Sequence, residues 1–147
     1  MIVVVADTSG LLAALDSAHP EHHASGEALM AAGLLVMSPL LLAEVDHVAT
    51  RELGRVAALS AVDDITRWMR VSRVVVPEIT EAHLSTAQSV RARYSALDLD
   101  LTDAVNVALA ADYDTDAVLT LDRRDFRALR PLGRHKSFRL LPDDLPL

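Results

Sequence analysis

The chain has 147 residues, enough to bury one sizeable core, and a single domain over residues 1–147 is expected. Hydrophobic residues make up 51%, cysteine is absent and the formal net charge is −7, which excludes disulfides and thiolate metal sites and is the wrong overall sign for a nucleic-acid binder. The charge is uneven: seven of the 14 Lys and Arg residues fall in RRDFRALRPLGRHKSFR, residues 123–139, while acids dominate elsewhere.

Residues 2–6, IVVVA, form a β-branched apolar run, the pattern of a strand buried on both faces. Asp7 ends that run early and no positive residue precedes it, which argues against a signal peptide. Thr8 or Ser9 is positioned to cap a helix running through Leu11, Leu12 and Leu15. His19-Pro20 breaks the chain, and residues 21–32 read as a second helix. Residues 34–37 read as a strand, and Ser38-Pro39 then starts a helix that runs to Leu53 and stops at Gly54. The nearly apolar stretch 34–43 is too short to cross a bilayer, and a cytoplasmic protein without membrane contact is expected.

Val56, Leu59, Val62, Ile65 and Met69 give residues 55–70 helical spacing, with Trp68 and Met69 on its packing face. Residues 74–76 read as a strand closed by Pro77. Thr80, with His83 three residues on, opens a helix reaching Tyr94, and Thr102 is the expected cap of a helix over 103–112. Residues 117–121 and 137–141 complete the strands. Such alternation predicts an α/β fold: a parallel sheet flanked by helices on both faces, with its strand carboxyl ends along one ligand-binding edge.

Four acids map to that edge. Asp7 and Asp122 directly follow strands, Asp103 lies in the first turn of its helix, and Glu44 lies among apolar neighbours with no cation four residues on. Carboxylates brought together raise one another's pKa and do not all stay ionised near neutrality without a cation. A hard divalent ion such as Mg²⁺ or Mn²⁺ removes the repulsion, and such a site suits cleavage of a phosphodiester.

The segments VVVADTSGLLAAL, SPLLLAEV, LTDAVNVALA and VLTLDRRDF, in this order along nearly the whole chain, resemble the four acidic motifs of PIN-domain ribonucleases, and more narrowly those of the VapC toxins. The resemblance implies a PIN-like sheet, a Mg²⁺ or Mn²⁺ site and endonucleolytic cleavage of RNA. It places the catalytic acids at Asp7, Glu44, Asp103 and Asp122, with Asp7, Asp103 and Asp122 as metal ligands. Ser9 or Thr8, and Thr120, would supply hydroxyls beside the metal or phosphate, with Asp125 as a helper. Many relatives carry a small residue near position 100, where this chain has Asp100, so a place for Asp100 or Asp98 in the cluster stays open. The family further implies a VapB-type antitoxin that blocks the site with an extended segment, and a homodimer. The acidic net charge favours a basic partner segment.

Each acid also has a structural explanation. Asp7 suits a cap or a turn, Asp103 a helix N-terminus, Glu44 a solvated helix position with a bridge to His47 or Arg51, and Asp122 a loop ion pair with Arg123 or Arg124. All four being coincidental together is far less probable than any one. In the basic segment, Arg123, Arg124 and Arg134 are candidate RNA-phosphate contacts, against the alternative that these arginines balance nearby acids. DYDTDAVL imitates a calcium loop but has Ala117 where the glycine belongs and Arg123 in place of the final glutamate. His19, His22 and His23 read as an exposed helix start. A receiver or aspartyl-phosphatase domain is disfavoured, because Ser9 stands where the phosphatase needs a second acid and Lys136 is the only lysine. The competing reading from another class is a catalytically silent PIN fold that binds RNA or protein.

Overall fold

The β-branched runs of the sequence become the strands of one sheet. In the computed structural model, which describes residues 1–146, β1 (Val3–Ala6), β2 (Leu34–Val36), β3 (Val74–Val75), β4 (Ala117–Leu119) and β5 (Arg139–Leu141) are all parallel, in the order β3-β2-β1-β4-β5. Seven helices connect them: α1 (Thr8–Leu15), α2 (His22–Ala31), α3 (Pro39–Leu53), α4 (Arg55–Arg70), α5 (Glu81–Arg93), α6 (Leu101–Asp112) and α7 (Arg123–Ala128). None of the helices among the described residues is long and apolar enough to cross a membrane.

Strand alternation divides the core between the two faces of the sheet. Val4, Ala6, Leu35, Leu119 and Leu141 pack with Leu11, Leu41, Val45 and Ile65 from α1, α3 and α4. Val5, Val36, Val118 and Leu140 point the other way, onto Val90, Val105, Leu109 and Phe126 from α5, α6 and α7. The chain builds outward from β1 to β3, then returns to the opposite side of β1 to build β4 and β5. The direction of winding therefore reverses between β1 and β4, and open α/β sheets form their ligand crevice at such a switch point.

Several local signals act as the sequence predicts. Ser38 caps α3, its Oγ accepting from the Leu40 amide at 3.1 Å. Gly54, at φ 94°, ends α3 and begins α4. Thr80 and His83 form a reciprocal capping box on α5. Other expectations are corrected. Neither Thr8 nor Ser9 caps α1; Asp7 holds that position and makes no side-chain cap bond. Asp100, not Thr102, caps α6, its carboxylate accepting from the Asp103 amide at 2.8 Å. The strand expected over 117–121 ends at Leu119; the Thr120 amide still donates to the Leu141 carbonyl at 3.0 Å, while its hydroxyl bonds Asp7 and the Asp122 amide. On α4 the buried residues are Ala58, Ala61 and Ile65, with Trp68 partly buried against the same core, whereas Val56, Leu59, Val62 and Met69 are exposed.

Close approach of α1 to β4 sets the geometry of the sheet edge. A Cβ on Gly10 would lie 2.5 Å from the Leu119 carbonyl oxygen, and that contact is with backbone. Gly26, inside α2, has open space where a Cβ would go. Gly10→Ala is therefore expected to destabilise the protein by about 1–3 kcal/mol, and Gly26→Ala to stabilise it by about 0.5–1 kcal/mol. Urea unfolding of the two variants checks both signs.

Candidate active site

Asp7 leaves the end of β1 with its amide still donating to the Leu119 carbonyl at 2.9 Å. Its carboxylate is only 4% exposed and points across to β4. There it accepts from the Thr120 hydroxyl at 2.7 Å, and from Ser9 Oγ at 3.2 Å. Thr120 Oγ1 also accepts from the Asp122 amide, and Ser9 Oγ from the Leu121 amide, both at 2.9 Å. Two hydroxyls thus stitch the first acidic motif to the fourth. The Thr8 hydroxyl is buried without a hydrogen-bond partner among the described residues, so Ser9 is the one that joins this network.

Asp122 caps α7, accepting from the Asp125 amide at 3.2 Å. Asp103 stands in the first turn of α6. Asp103, Asp122 and Asp125, each half-buried, offer carboxylate oxygens that lie within 4.8 Å of one another. Asp125, expected only as a helper, is thus a full member of this cluster, placed there by the turn of α7 that follows Asp122. Asp7 stands behind the cluster, where its charge is felt by Asp103. Glu44 makes no bridge to His47 or Arg51; it accepts from Thr102 Oγ1 at 3.2 Å, which ties α3 to the start of α6. Asp100 serves as the α6 cap, and Asp98 adopts a left-handed conformation at φ 52°.

The electrostatics follow from burial and mutual repulsion. Burial, then the charges of Asp7, Asp100 and Asp122, push the Asp103 carboxyl up to about 9. Burial likewise raises Asp7 despite its hydroxyl donors, and Asp125 is raised by burial and then by Asp122. An acid that holds its proton this strongly is matched to a positive charge the protein does not itself provide. The oxygen-only donor set fits a hard cation, and one carrying its own waters.

The arginines divide. Arg123 is paired with Glu21 and Asp143, rather than with Asp122, and Arg134 with Asp114 at 3.0 Å. Arg124 is exposed, makes no ion pair or hydrogen bond among the described residues, and its charge lowers the pKa of Asp125. Sequence reasoning passed over Asn106. It lies one turn after Asp103 on α6, is 1% exposed, and its Nδ2 donates to the Ala6 carbonyl at 3.4 Å. An amide in the otherwise apolar AVNVALA was the available signal, since buried polar groups are rarely idle.

Without a cation the folded protein keeps the Asp103 proton to about pH 9, whereas the unfolded chain releases it near 3.8. Between those values the native state holds the extra proton, so its stability falls as pH rises through the window. Thermal unfolding in EDTA is expected to show Tm declining toward the basic end. Asp103→Asn should flatten that decline and raise Tm there.

Comparison with known proteins agrees with this geometry. A family model described as the PIN domain matches residues 4–130. Ribonuclease VapC26 of Mycobacterium tuberculosis is 36% identical over 131 residues, 88% of this chain and 94% of that protein. The crystal structure of Mycobacterium tuberculosis VapC20, a Sarcin-Ricin loop cleaving toxin, superposes with a TM-score of 0.71 at 19% identity, covering 82% of this chain and 91% of that one. VapBC2 from Rickettsia felis, bound to a DNA fragment from its promoter, gives a TM-score of 0.66 at 13% identity, over 95% of this chain and 98% of that one. With its acids gathered at the switch point of a five-stranded parallel sheet, the chain belongs to the PIN-domain family and, within it, to the VapC ribonucleases.

Proposed function

We propose that this protein is an endoribonuclease toxin that works with Mg²⁺ or Mn²⁺ in the cytoplasm and is neutralised by a VapB-type antitoxin. The observation that carries the reading is the convergence of Asp103, Asp122 and Asp125, with Asp7 coupled to Asp103, at the edge of the sheet where the winding reverses between β1 and β4. Asp103, Asp122 and Asp125 would hold the ion, with Asp7 completing the negative field around it. When bound, a divalent ion supplies a Lewis acid for the scissile phosphate and makes a coordinated water nucleophilic at neutral pH.

The chain's own residues do the rest. Ser9 and Thr120 fix the Asp7 carboxylate, and the same hydroxyls set the path of the backbone into Asp122. Thr102 holds one oxygen of Glu44, leaving the other to orient an attacking water. Arg124 is the exposed cation beside the cluster and is the candidate contact to an RNA phosphate. Arg123 and Arg134 already have acidic partners, which weakens their claim to that role. The relation to VapC26 and the VapBC2 likeness support an antitoxin partner, and a homodimer is what the family resemblance implies. An acidic chain with a cluster of carboxylates at its sheet edge suits a basic inhibitor segment.

Cleavage of total RNA by purified protein tests the reading. Asp7→Asn, Asp103→Asn and Asp122→Asn should each lower the rate about a thousandfold or more, with circular dichroism unchanged. Arg124→Ala should raise KM at low salt more than it lowers kcat. EDTA should stop cleavage and Mn²⁺ restore it. Undiminished cleavage in EDTA, or by Asp122→Asn, would overturn the assignment.

A further inference from the structure

The short helix α7 carries two of the three clustered carboxylates, Asp122 at its cap and Asp125 in its first turn. Six residues of helix are marginal on their own, so α7 depends on tertiary contacts for its position. One contact is apolar: Phe126 is buried and meets Phe138 edge-on, with ring centroids 5.8 Å apart. Two more are ionic and come from the turn that follows β5. Arg127 grips Asp144 through two bonds of 2.7 Å each, Nη1 to Oδ2 and Nη2 to Oδ1. Arg123 grips both oxygens of Asp143, at 2.9 Å from Nη2 and at 2.5 Å from Nε, and reaches Glu21 at the start of α2.

The anchor itself is rigid. Asp144 Oδ2 also accepts from the Leu140 amide at 2.8 Å, and the Asp144 amide donates to the Leu140 carbonyl at 2.7 Å. Leu140 is a fully buried strand residue paired with Val118 of β4. A continuous path therefore runs from the sheet through Asp144 and Arg127 to the helix that carries Asp122 and Asp125. The two arginine forks tie α7 to the turn that follows β5.

We propose that Asp143 and Asp144, acting through Arg123 and Arg127, are positioning residues that hold α7 so that Asp122 and Asp125 face Asp103 at metal-binding distance. The assignment rests on the metal reading above. It gives Arg123 and Arg127 a role inside the protein, apart from RNA contact. Partners that orient metal ligands typically govern affinity by about 10- to 100-fold.

Calorimetric titration of the whole protein with Mn²⁺ tests this. The double variant Asp143→Asn/Asp144→Asn should bind Mn²⁺ about 10-fold more weakly than wild type or worse. Its RNA cleavage should recover when Mn²⁺ is raised to saturation, with KM for RNA unchanged. Arg127→Ala/Asp144→Asn should lose no more affinity than either single change, because the two residues act as one unit. Asp116→Asn removes an acid of the same kind, paired with Arg139 elsewhere, and should leave Mn²⁺ affinity as it is. Equal Mn²⁺ binding by wild type and the Asp143/Asp144 variant would overturn the clamp while leaving the metal site standing. So would a loss in Asp116→Asn as large as theirs. No Mn²⁺ binding by wild type would overturn the metal reading and the clamp together.

Discussion

The burial of acids beside one another, Asp7, Asp103 and Asp125 around Asp122, is the constraint on which the site depends. They come from the end of β1, α6, the β4-to-α7 connection and α7 itself, and a parallel sheet with a reversal between β1 and β4 brings them to one edge. Burial there raises Asp103 to about 9, a state in which the cluster carries a proton in place of a missing positive charge. Two core layers pack on the sheet from either side.

Hydroxyls do the fine positioning. Ser9 and Thr120 each donate to Asp7 and each accept from a backbone amide of the fourth motif. A hydroxyl can do both at once, which a second carboxylate could not, since it would only add to the negative charge. The arrangement needs α1 to lie close against β4, and Gly10 permits that approach by having no side chain to meet the Leu119 carbonyl. Local sequence at Asp-Thr-Ser-Gly is in this sense a single device for placing one buried acid.

The basic C-terminal segment looks different once its partners are known. Arg123, Arg127, Arg134 and Arg139 are all engaged by acids of the same chain. The DYDTD loop, which imitates a calcium site, supplies Asp114 and Asp116 to Arg134, His135 and Arg139 instead. Much of the positive charge is thus internal bracing around α7 and β5. Arg124 remains exposed beside the cluster, without an ion pair among the described residues.

The order of strands and helices, the Ser38-Pro39 and Gly54 punctuation and the acids Asp7, Asp103 and Asp122 were legible in the chain, because hydrophobic period and turn chemistry are local properties. The rest was not. Thr102 and Asp100 are both competent caps two residues apart, and only packing against α3 gives Thr102 to Glu44 and leaves the cap to Asp100. The exposed Val56, Leu59, Val62 and Met69 follow a helical period as well as the buried Ala58, Ala61 and Ile65 do, so spacing alone cannot say which stripe faces the core. The promotion of Asp125 and the partners of Arg123 depend on side chains up to 102 residues apart along the chain. Electrostatic pairing over that range is decided by distance in space, and distance in space exists only after the chain has folded.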